Sequence, residues 1–293
     1  MIGLPSIRLK SLHRLNGLKK MLDTIRSVRQ LQIGILSLIV LLAAALFAPL
    51  IASHNPNSME FDPLIAPGSD HWLGTDGLGR DVFSMIVYGT RTSLFIGVFA
   101  AIISGLIGTL LGGIAGFYRG SLDRVLTEIN NIFLMIPTFF LVLLIVAFFG
   151  SSITNVIIVL GLTGWVSNAL LMRAQAVSLC ERTFVMAAYA IGESRTRILL
   201  KHIIPNGIFP IIANTTMNIA SAILMESSLS FLGLGDPNVI SWGQVIHHGR
   251  SYLTSGWWIS ASAGLAIVAT VFTFYLLGDG LNRLFNPKQN TIR

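Results

Sequence analysis

The residues of this 293-residue chain that could act on phosphate, on a metal or on an acyl group form none of the motifs that such chemistry requires. A phosphate-binding loop needs a lysine directly after a glycine, and none of the five lysines follows one. The sequence also lacks the paired histidines of a zinc-hydrolase helix and the Gly-x-Ser-x-Gly turn of a serine hydrolase. We therefore predict no catalytic residue and no ATP site in this chain.

The six histidines do not suggest a set of metal ligands by their spacing. His247 and His248 are adjacent, so on a helix they do not share a face and cannot both approach one ion. Two more, His54 and His71, fall in a segment rich in turn-forming residues. We predict that all four are polar loop residues and that the chain binds no metal.

Charged residues are scarce, and they are absent from five long stretches. Asp, Glu, Lys and Arg make up 11% of the chain, against roughly a quarter in soluble domains, and the mean hydropathy is +0.73. Each stretch exceeds the roughly 20 residues that cross a bilayer as a helix, and 129–172 has room for two crossings. The sequence predicts an all-α, polytopic integral membrane protein with six spans at about 31–52, 92–116, 129–149, 153–172, 207–233 and 257–279.

Basic residues collect on one side of these spans. Of the 20 Lys and Arg residues, 17 lie before the first span, after the last span, or in loops 117–128 and 173–206. Arg80, Arg91 and Arg250 fall on the opposite side. By the positive-inside rule, this distribution places both termini in the cytoplasm. The net charge of +7 is therefore a topology signal, not the footprint of a nucleic-acid site.

The spans and the charges divide the chain into four predicted parts. Residues 1–30 form a basic cytoplasmic segment, and residues 31–90 form the first membrane helix with an extracytoplasmic loop. Residues 91–283 form the membrane core, which contains a cytoplasmic loop at 173–206, and residues 284–293 form a cytoplasmic tail.

Packing between helices must stabilise this core, because the single cysteine, Cys180, excludes an internal disulfide. In the second span Gly108, Gly112 and Gly116 recur every four residues. Small residues at this spacing let the backbone of another helix approach closely. We therefore predict a packed bundle of helices rather than a lone membrane anchor.

The loop at 173–206 carries a helical pattern of apolar residues. Its members share one face at helical spacing and are Phe184, Ala187, Ala188 and Ile191. We expect Ala187 and Ala188 to present a small, flat surface that lies in a groove of another protein. A loop that packs as a cap on its own bundle is the alternative.

A glycine divides this loop into two predicted helices. Gly192 stands where the end of the first helix requires a left-handed residue. Ser194 is placed to cap the second helix, which we expect to end near Pro205. The second helix is charged by Arg195, Arg197 and Lys201.

The same loop resembles the EAA loop of ABC-importer permeases, the segment that docks into the ATPase subunit in that family. The resemblance rests on Met186-Ala187-Ala188, on Gly192 and on the run from His202 to Asn206, which includes Pro205. Met186 stands where the motif's name has glutamate, a substitution common in the peptide branch.

A second segment resembles the signature of the dipeptide, oligopeptide and nickel permeases of the C-subunit type. Its LGTDxxGRD core supplies Gly74, Thr75, Asp76, Gly79, Arg80 and Asp81. Met85, just beyond this core, stands where the signature often has arginine. Two roles stay open for this segment: a turn-rich scaffold fixed by Asp-Arg pairs, and direct contact with a delivery protein.

The resemblance runs from about residue 31 to 288 and implies a type I ABC-importer permease fold. It implies that the chain forms half of a pore in a bacterial or archaeal cell membrane. The implied partners are a homologous second permease, two cytoplasmic ABC ATPases that hold ATP and Mg, and an extracytoplasmic substrate-binding protein. No cofactor is expected in this chain.

Peptides or a related small solute are the implied cargo, and nickel or a metal chelate is the alternative within the same architecture. An ion-coupled secondary transporter is a rival from another class, but it would need buried ionisable groups. Glu226, followed by Ser227 late in the fifth span, is one of few candidates. Glu226 could line a pathway or accept hydrogen bonds from Ser227, Ser228 and a neighbouring helix, and we favour the second role.

Overall fold

The computed structural model describes residues 28–285, and most of this range is helix. The predicted segments 1–30 and 284–293 therefore lie outside the described residues except at their inner ends. The helices are α1 (Arg29–Leu46), α2 (Ala48–Ile51), α3 (Val82–Tyr118), α4 (Gly120–Met135), α5 (Thr138–Phe149), α6 (Ile153–Thr163), α7 (Val166–Cys180), α8 (Thr183–Ala190), α9 (Arg195–Ile198), α10 (Ile204–Phe231), α11 (Trp242–Gly249) and α12 (Trp257–Phe285). A π-helical turn, Leu199–Ile203, joins α9 to α10.

Five helical stretches in the described range are long and apolar enough to cross a membrane, and a bent pair of helices makes a sixth if it counts as one span. The prediction of an all-α protein with about six membrane helices is confirmed. The five stretches are α1, α3, α6 with α7, α9 through α10, and α12.

The span predicted at 129–149 is not one continuous helix. The chain bends by 85° between α4 and α5, within that range. Pro137 lies at the bend, and the residue before it, Ile136, is extended with φ −88° and ψ 123°. A proline disfavours the helical conformation of the residue that precedes it, so the helix must stop there.

Helix α3 begins at Val82, earlier than the predicted position 92, and runs for 37 residues. Asp81 fixes this start because its carboxylate accepts a hydrogen bond from the Ser84 N–H at 2.8 Å. Helix α7 likewise continues to Cys180, beyond the predicted loop boundary at 173. The segments that connect the membrane helices are therefore shorter than the sequence pattern indicates.

Helix α3 lies at the centre of the bundle and packs mainly against α7, α10 and α6, while α12 packs against α10 and α1. Large buried side chains fill the end of the bundle near residue 82, where Trp242, Met85 and Ile259 are almost fully buried. A second cluster around Met172, Ile198 and Ile203 fills the other end.

The predicted close approach at the glycines of α3 is confirmed. A Cβ atom on Gly108 would lie 2.6 Å from the Trp165 carbonyl oxygen, and one on Gly116 would lie 2.5 Å from that of Arg173. A Cβ atom on Gly112 would overlap the backbone of Ala169. These three glycines therefore let α3 and α7 pack backbone to backbone.

We expect a Gly112→Ala variant to be destabilised by about 1–3 kcal/mol, because the added methyl group forces α3 and α7 apart. Thermal unfolding of the purified chain in detergent measures this effect. Gly113→Ala is the matched control, since its Cβ atom would meet Ile204 at an ordinary 3.5 Å. Equal melting temperatures for the two variants would contradict the packing argument.

Candidate functional site

Helix α8 lies against the end of the bundle that contains Met172 and Ile198. Val185 and Ala188, three residues apart on α8, are buried in that cluster with Phe117 of α3. A helix of eight residues cannot stabilise itself, so this contact with the bundle must hold it.

The prediction that Ala187 and Ala188 both face outward is wrong for Ala188, which is only 5% exposed. Ala188 belongs to the apolar stripe with which α8 packs on its own bundle, whereas Ala187 lies on the exposed side. Four neighbours of Ala187 are large, apolar and exposed: Phe184, Met186, Tyr189 and Ile191. We call these four residues and Ala187 the α8 outer face.

Gly192 adopts the left-handed conformation that the sequence predicts, with φ +79°. The N–H of Gly192 donates to the Tyr189 carbonyl at 3.0 Å, and the N–H of Glu193 donates to the Ala188 carbonyl at 3.1 Å. This pair of bonds is the Schellman motif, which turns the chain sharply at a helix end. A Cβ atom on Gly192 would meet nothing within 4 Å, so the backbone angle alone requires glycine.

The second predicted helix begins where the sequence indicates, after Ser194, but it does not end near Pro205. Ser194 is the N-terminal cap residue of α9, but its side chain makes no capping bond, and its backbone carbonyl accepts from the Ile198 N–H at 3.0 Å. The chain does not stop near Pro205: it passes through the π-helical turn into α10. Pro205 is tolerated because it lies in the first turn of α10, where its missing N–H is not needed.

An ionic cluster joins this turn to the loop, and the sequence analysis missed it. The carboxylate of Glu193 contacts His202 Nε2 at 2.7 Å and lies 3.7 Å from Arg197 Nε. Arg195 and Arg197 remain exposed. Glu193 and His202 are nine residues apart, which is not a helical spacing, so the pattern of the sequence gives no sign of this contact.

At the opposite end of the bundle, the six residues named from the LGTDxxGRD core are buried. The Asp76 carboxylate accepts from the backbone N–H groups of Leu78 and Arg80, both at 2.9 Å. Its second oxygen lies 2.7 Å from Arg80 Nε and 2.6 Å from Arg80 Nη2.

Burial and the charge of Arg80 lower the pKa of nearby His248, so that imidazole stays neutral near pH 7.

Backbone bonds hold the same segment to the preceding loop. The Thr75 hydroxyl donates to the Asp62 carbonyl and accepts from the Ile65 N–H, each at 2.8 Å. Gly74 and Gly79 have φ of +71° and +74°, and a Cβ atom on Gly79 would overlap the Phe61 carbonyl oxygen. These contacts favour the scaffold role for this segment, and contact with a delivery protein stays a prediction.

Glu226 lies in α10 and is surrounded by hydroxyl groups. Its Oε1 accepts from Ser230 and Ser241, both at 2.7 Å, and its Oε2 lies 3.4 Å from the Ser227 hydroxyl. Ser228, which we also expected to donate, bonds to the Leu224 carbonyl instead. Ser241 belongs to the cap of α11, so Glu226 ties α10 to α11. This arrangement favours the hydrogen-bonding role over a pathway role.

A cavity of about 280 Å³ opens beside α3, α6, α7 and α10. None of the residues that line it is charged, but each of the four helices supplies at least one polar side chain: Ser104, Thr163, Ser167, Asn218 and Ser221. These residues do not stand out in the sequence, because serine and threonine are common in membrane helices and only folding brings these side chains together.

Comparison with known proteins agrees with this architecture. Residues 108–291 match the family described as the inner membrane component of binding-protein-dependent transport systems. The probable D,D-dipeptide transport system permease protein of Escherichia coli K12 is 35% identical over 86% of this chain and 85% of its own length. The oligopeptide transport system permease protein of Bacillus subtilis 168 is also 35% identical, over 90% and 87% respectively.

A solved structure of the methionine ABC transporter MetNI, in an inward-facing conformation, contains a chain with the same fold. The TM-score is 0.54 and the identity 19%, with 68% of this chain and 96% of that chain covered. At this identity the likeness establishes the fold alone. It confirms the expectation of an ABC-importer permease fold.

Proposed function

Because the chain belongs to the family of inner membrane components of binding-protein-dependent transport systems, we propose that it is the permease subunit of an ATP-driven importer of peptides. In this proposal it forms half of the translocation pathway and catalyses no reaction itself. The observation that carries the proposal is the α8 outer face, a solvent-exposed apolar surface fixed beside Gly192.

The α8 outer face fits a groove in a partner protein. A free apolar surface of this kind on a short, rigidly held helix is typical of an anchor that docks into another chain. We propose two cytoplasmic ABC ATPases as the partners here, with ATP and Mg bound to them. Arg195 and Arg197, which are exposed next to this face, would supply charge at its rim.

The remaining partners follow from the same proposal. A homologous second permease would complete the pathway, and an extracytoplasmic substrate-binding protein would deliver cargo to the opposite end. Both termini would be cytoplasmic, in agreement with the excess of basic residues in loops on that side.

An impermeant thiol reagent that reaches Ser69→Cys only in opened cells would refute this orientation.

We assign the 280 Å³ cavity to the pathway. Its hydroxyl and amide groups, at the level of the membrane helices, can hydrogen-bond to the amides of a peptide without binding a fixed charge. Such a pathway would bind the peptide backbone and tolerate different side chains.

Uptake of a radiolabelled dipeptide by cells with and without the gene for this chain tests the proposal. We expect the deletion to abolish uptake and a plasmid copy to restore it. Uptake should persist when the proton gradient is collapsed and ATP is maintained, and it should stop when ATP is depleted. Loss of uptake on collapse of the gradient alone would indicate an ion-coupled carrier, and loss of ⁶³Ni²⁺ uptake with normal dipeptide uptake would indicate nickel as the cargo.

A further inference from the structure

Three side chains that can ligate a metal converge beside the start of α3: His54, His71 and Asp81. Each offers one ligand atom, and these atoms all lie within 4.8 Å of one another. Among the described residues 28–285, this is the one group of three or more His, Cys, Asp and Glu side chains with such a geometry. His71 and Asp81 are buried, and His54 is partly exposed.

Asp81 is held in position by the first turn of α3. Its Oδ2 accepts from the N–H of Ser84 at 2.8 Å and from the Ser84 hydroxyl at 2.7 Å. These bonds fix the plane of the carboxylate and leave Oδ1 directed at the histidines. His71 Nδ1 lies 2.9 Å from that Oδ1 atom. Hydrogen bonds of this kind to a ligand carboxylate orient it and are typical of metal sites.

His54 completes the group and has an unused nitrogen. Its Nδ1 is buried, has no hydrogen-bond partner and lies 3.9 Å from Asp81 Oδ1. The ring is held in place by Phe61 at 4.7 Å and by His71 at 5.1 Å between centroids, and its backbone N–H donates to the Ser84 hydroxyl. A buried polar atom without a partner costs free energy, so this nitrogen calls for an explanation.

The spacing of the three atoms suits a small ion. Zinc binds nitrogen and oxygen ligands at about 2.0–2.2 Å, so tetrahedral ligand atoms lie roughly 3.3 Å apart. The distances of 2.9 Å and 3.9 Å from Asp81 Oδ1 to the two imidazoles bracket that value. The third distance of the group, between the two histidine ligand atoms, is at most 4.8 Å.

One side of the group borders an open cavity. His54 lines an open cavity of about 520 Å³, together with Ser53, Asn57 and Tyr88. Arg91 lines the same cavity, but its guanidinium donates to the carbonyl groups of Ala45 and Leu46. His54 therefore stands between this cavity and the buried side chains of His71 and Asp81, although its own Nδ1 atom is covered.

We propose that His54 Nδ1, His71 Nδ1 and Asp81 Oδ1 bind a divalent transition-metal ion of the zinc class, with water at the remaining position. Two imidazoles and one carboxylate favour such an ion over Mg²⁺ or Ca²⁺, which take oxygen ligands. As a ligand through Nδ1, His71 would carry its ring proton on Nε2. The ion would fasten the 53–81 segment to the start of α3, a role independent of the proposed function.

Titration of the full-length chain, purified in detergent without a polyhistidine tag, with Co²⁺ tests this site. Co²⁺ in a tetrahedral nitrogen and oxygen site absorbs visible light, so we expect one equivalent to give a saturable absorption band that Zn²⁺ removes. His54→Phe keeps the ring contacts with Phe61 and His71 and removes the ligand. It should weaken binding by about 100-fold or more.

His248→Phe is the matched control, because His248 lies at the same end of the bundle and outside the group. It should bind Co²⁺ as the wild type does. Zn²⁺ should raise the melting temperature of the wild type and of His248→Phe but not of His54→Phe. His71→Asn, whose amide can still donate to Asp81, is a second variant that should lose binding if His54→Phe does not fold.

Three results would overturn the site. These are a folded wild-type chain that gives no Co²⁺ band, a folded His54→Phe or His71→Asn variant that binds as tightly as the wild type, and equal loss of binding in His248→Phe.

Discussion

An Ala187→Trp variant should lose transport by about tenfold or more while the chain stays folded and inserted. Ala187 lies on the α8 outer face, where an added indole meets only solvent in the isolated chain. In a packed contact with an ATPase, the same indole would cost about 1–3 kcal/mol, and each 1.4 kcal/mol is a factor of ten in binding. Dipeptide uptake and co-purification of the ATPases measure the effect.

The adjacent residue supplies the control. Ala188 is buried against the bundle, so Ala188→Trp should lower the melting temperature of the purified chain, whereas Ala187→Trp should not. Normal uptake and normal ATPase association in a folded Ala187→Trp variant would refute the docking role of this face. The loop would then be a cap on its own bundle.

The second large effect is expected at Asp76. In Asp76→Ala, Arg80 is left as a buried charge without a partner, and two backbone N–H groups lose their acceptor. Removing one member of a buried ion pair costs about 3–5 kcal/mol, a large part of the stability of most proteins. We expect a strong loss of monodisperse protein in size-exclusion chromatography and a lower melting temperature.

Two further variants separate the contributions at this position. Asp76→Asn keeps an acceptor for the N–H groups and removes only the charge, so its melting temperature should lie between those of Asp76→Ala and the wild type. Asp70→Ala, at an exposed aspartate of the same segment, should change stability by less than about 0.5 kcal/mol. An Asp76→Ala variant that melts like the wild type would show that the pair does not hold the segment.

Local chemistry was predictable from the sequence. The left-handed conformation of Gly192 was predictable because a helix that ends at this position requires such a residue. The close helix approach at Gly112 was predictable because glycines that recur every four residues lie on one helix face. The membrane helices were predictable from the charge-free stretches, because the cost of burying a charge in lipid acts on each stretch separately.

The remaining features depend on contacts between distant residues. Ala188 and Ala187 are the same residue type, and only the position of the bundle decides which one is buried. His54, His71 and Asp81 are separated by loops of irregular structure, so no spacing rule relates them. The span at 129–149 was predicted from its lack of charge alone, and that criterion does not register the break at Pro137.

The π-helical turn at Leu199–Ile203 sets the angular phase between α9 and α10. Each residue of an α-helix advances the direction of its side chains by about 100°, and a wider turn slows this advance. The direction in which α8 and α9 face is therefore fixed relative to the cavity-lining residues of α10, such as Asn218. In the proposed complex, a force that an ATPase exerts on α8 would therefore reach α10 through these five residues.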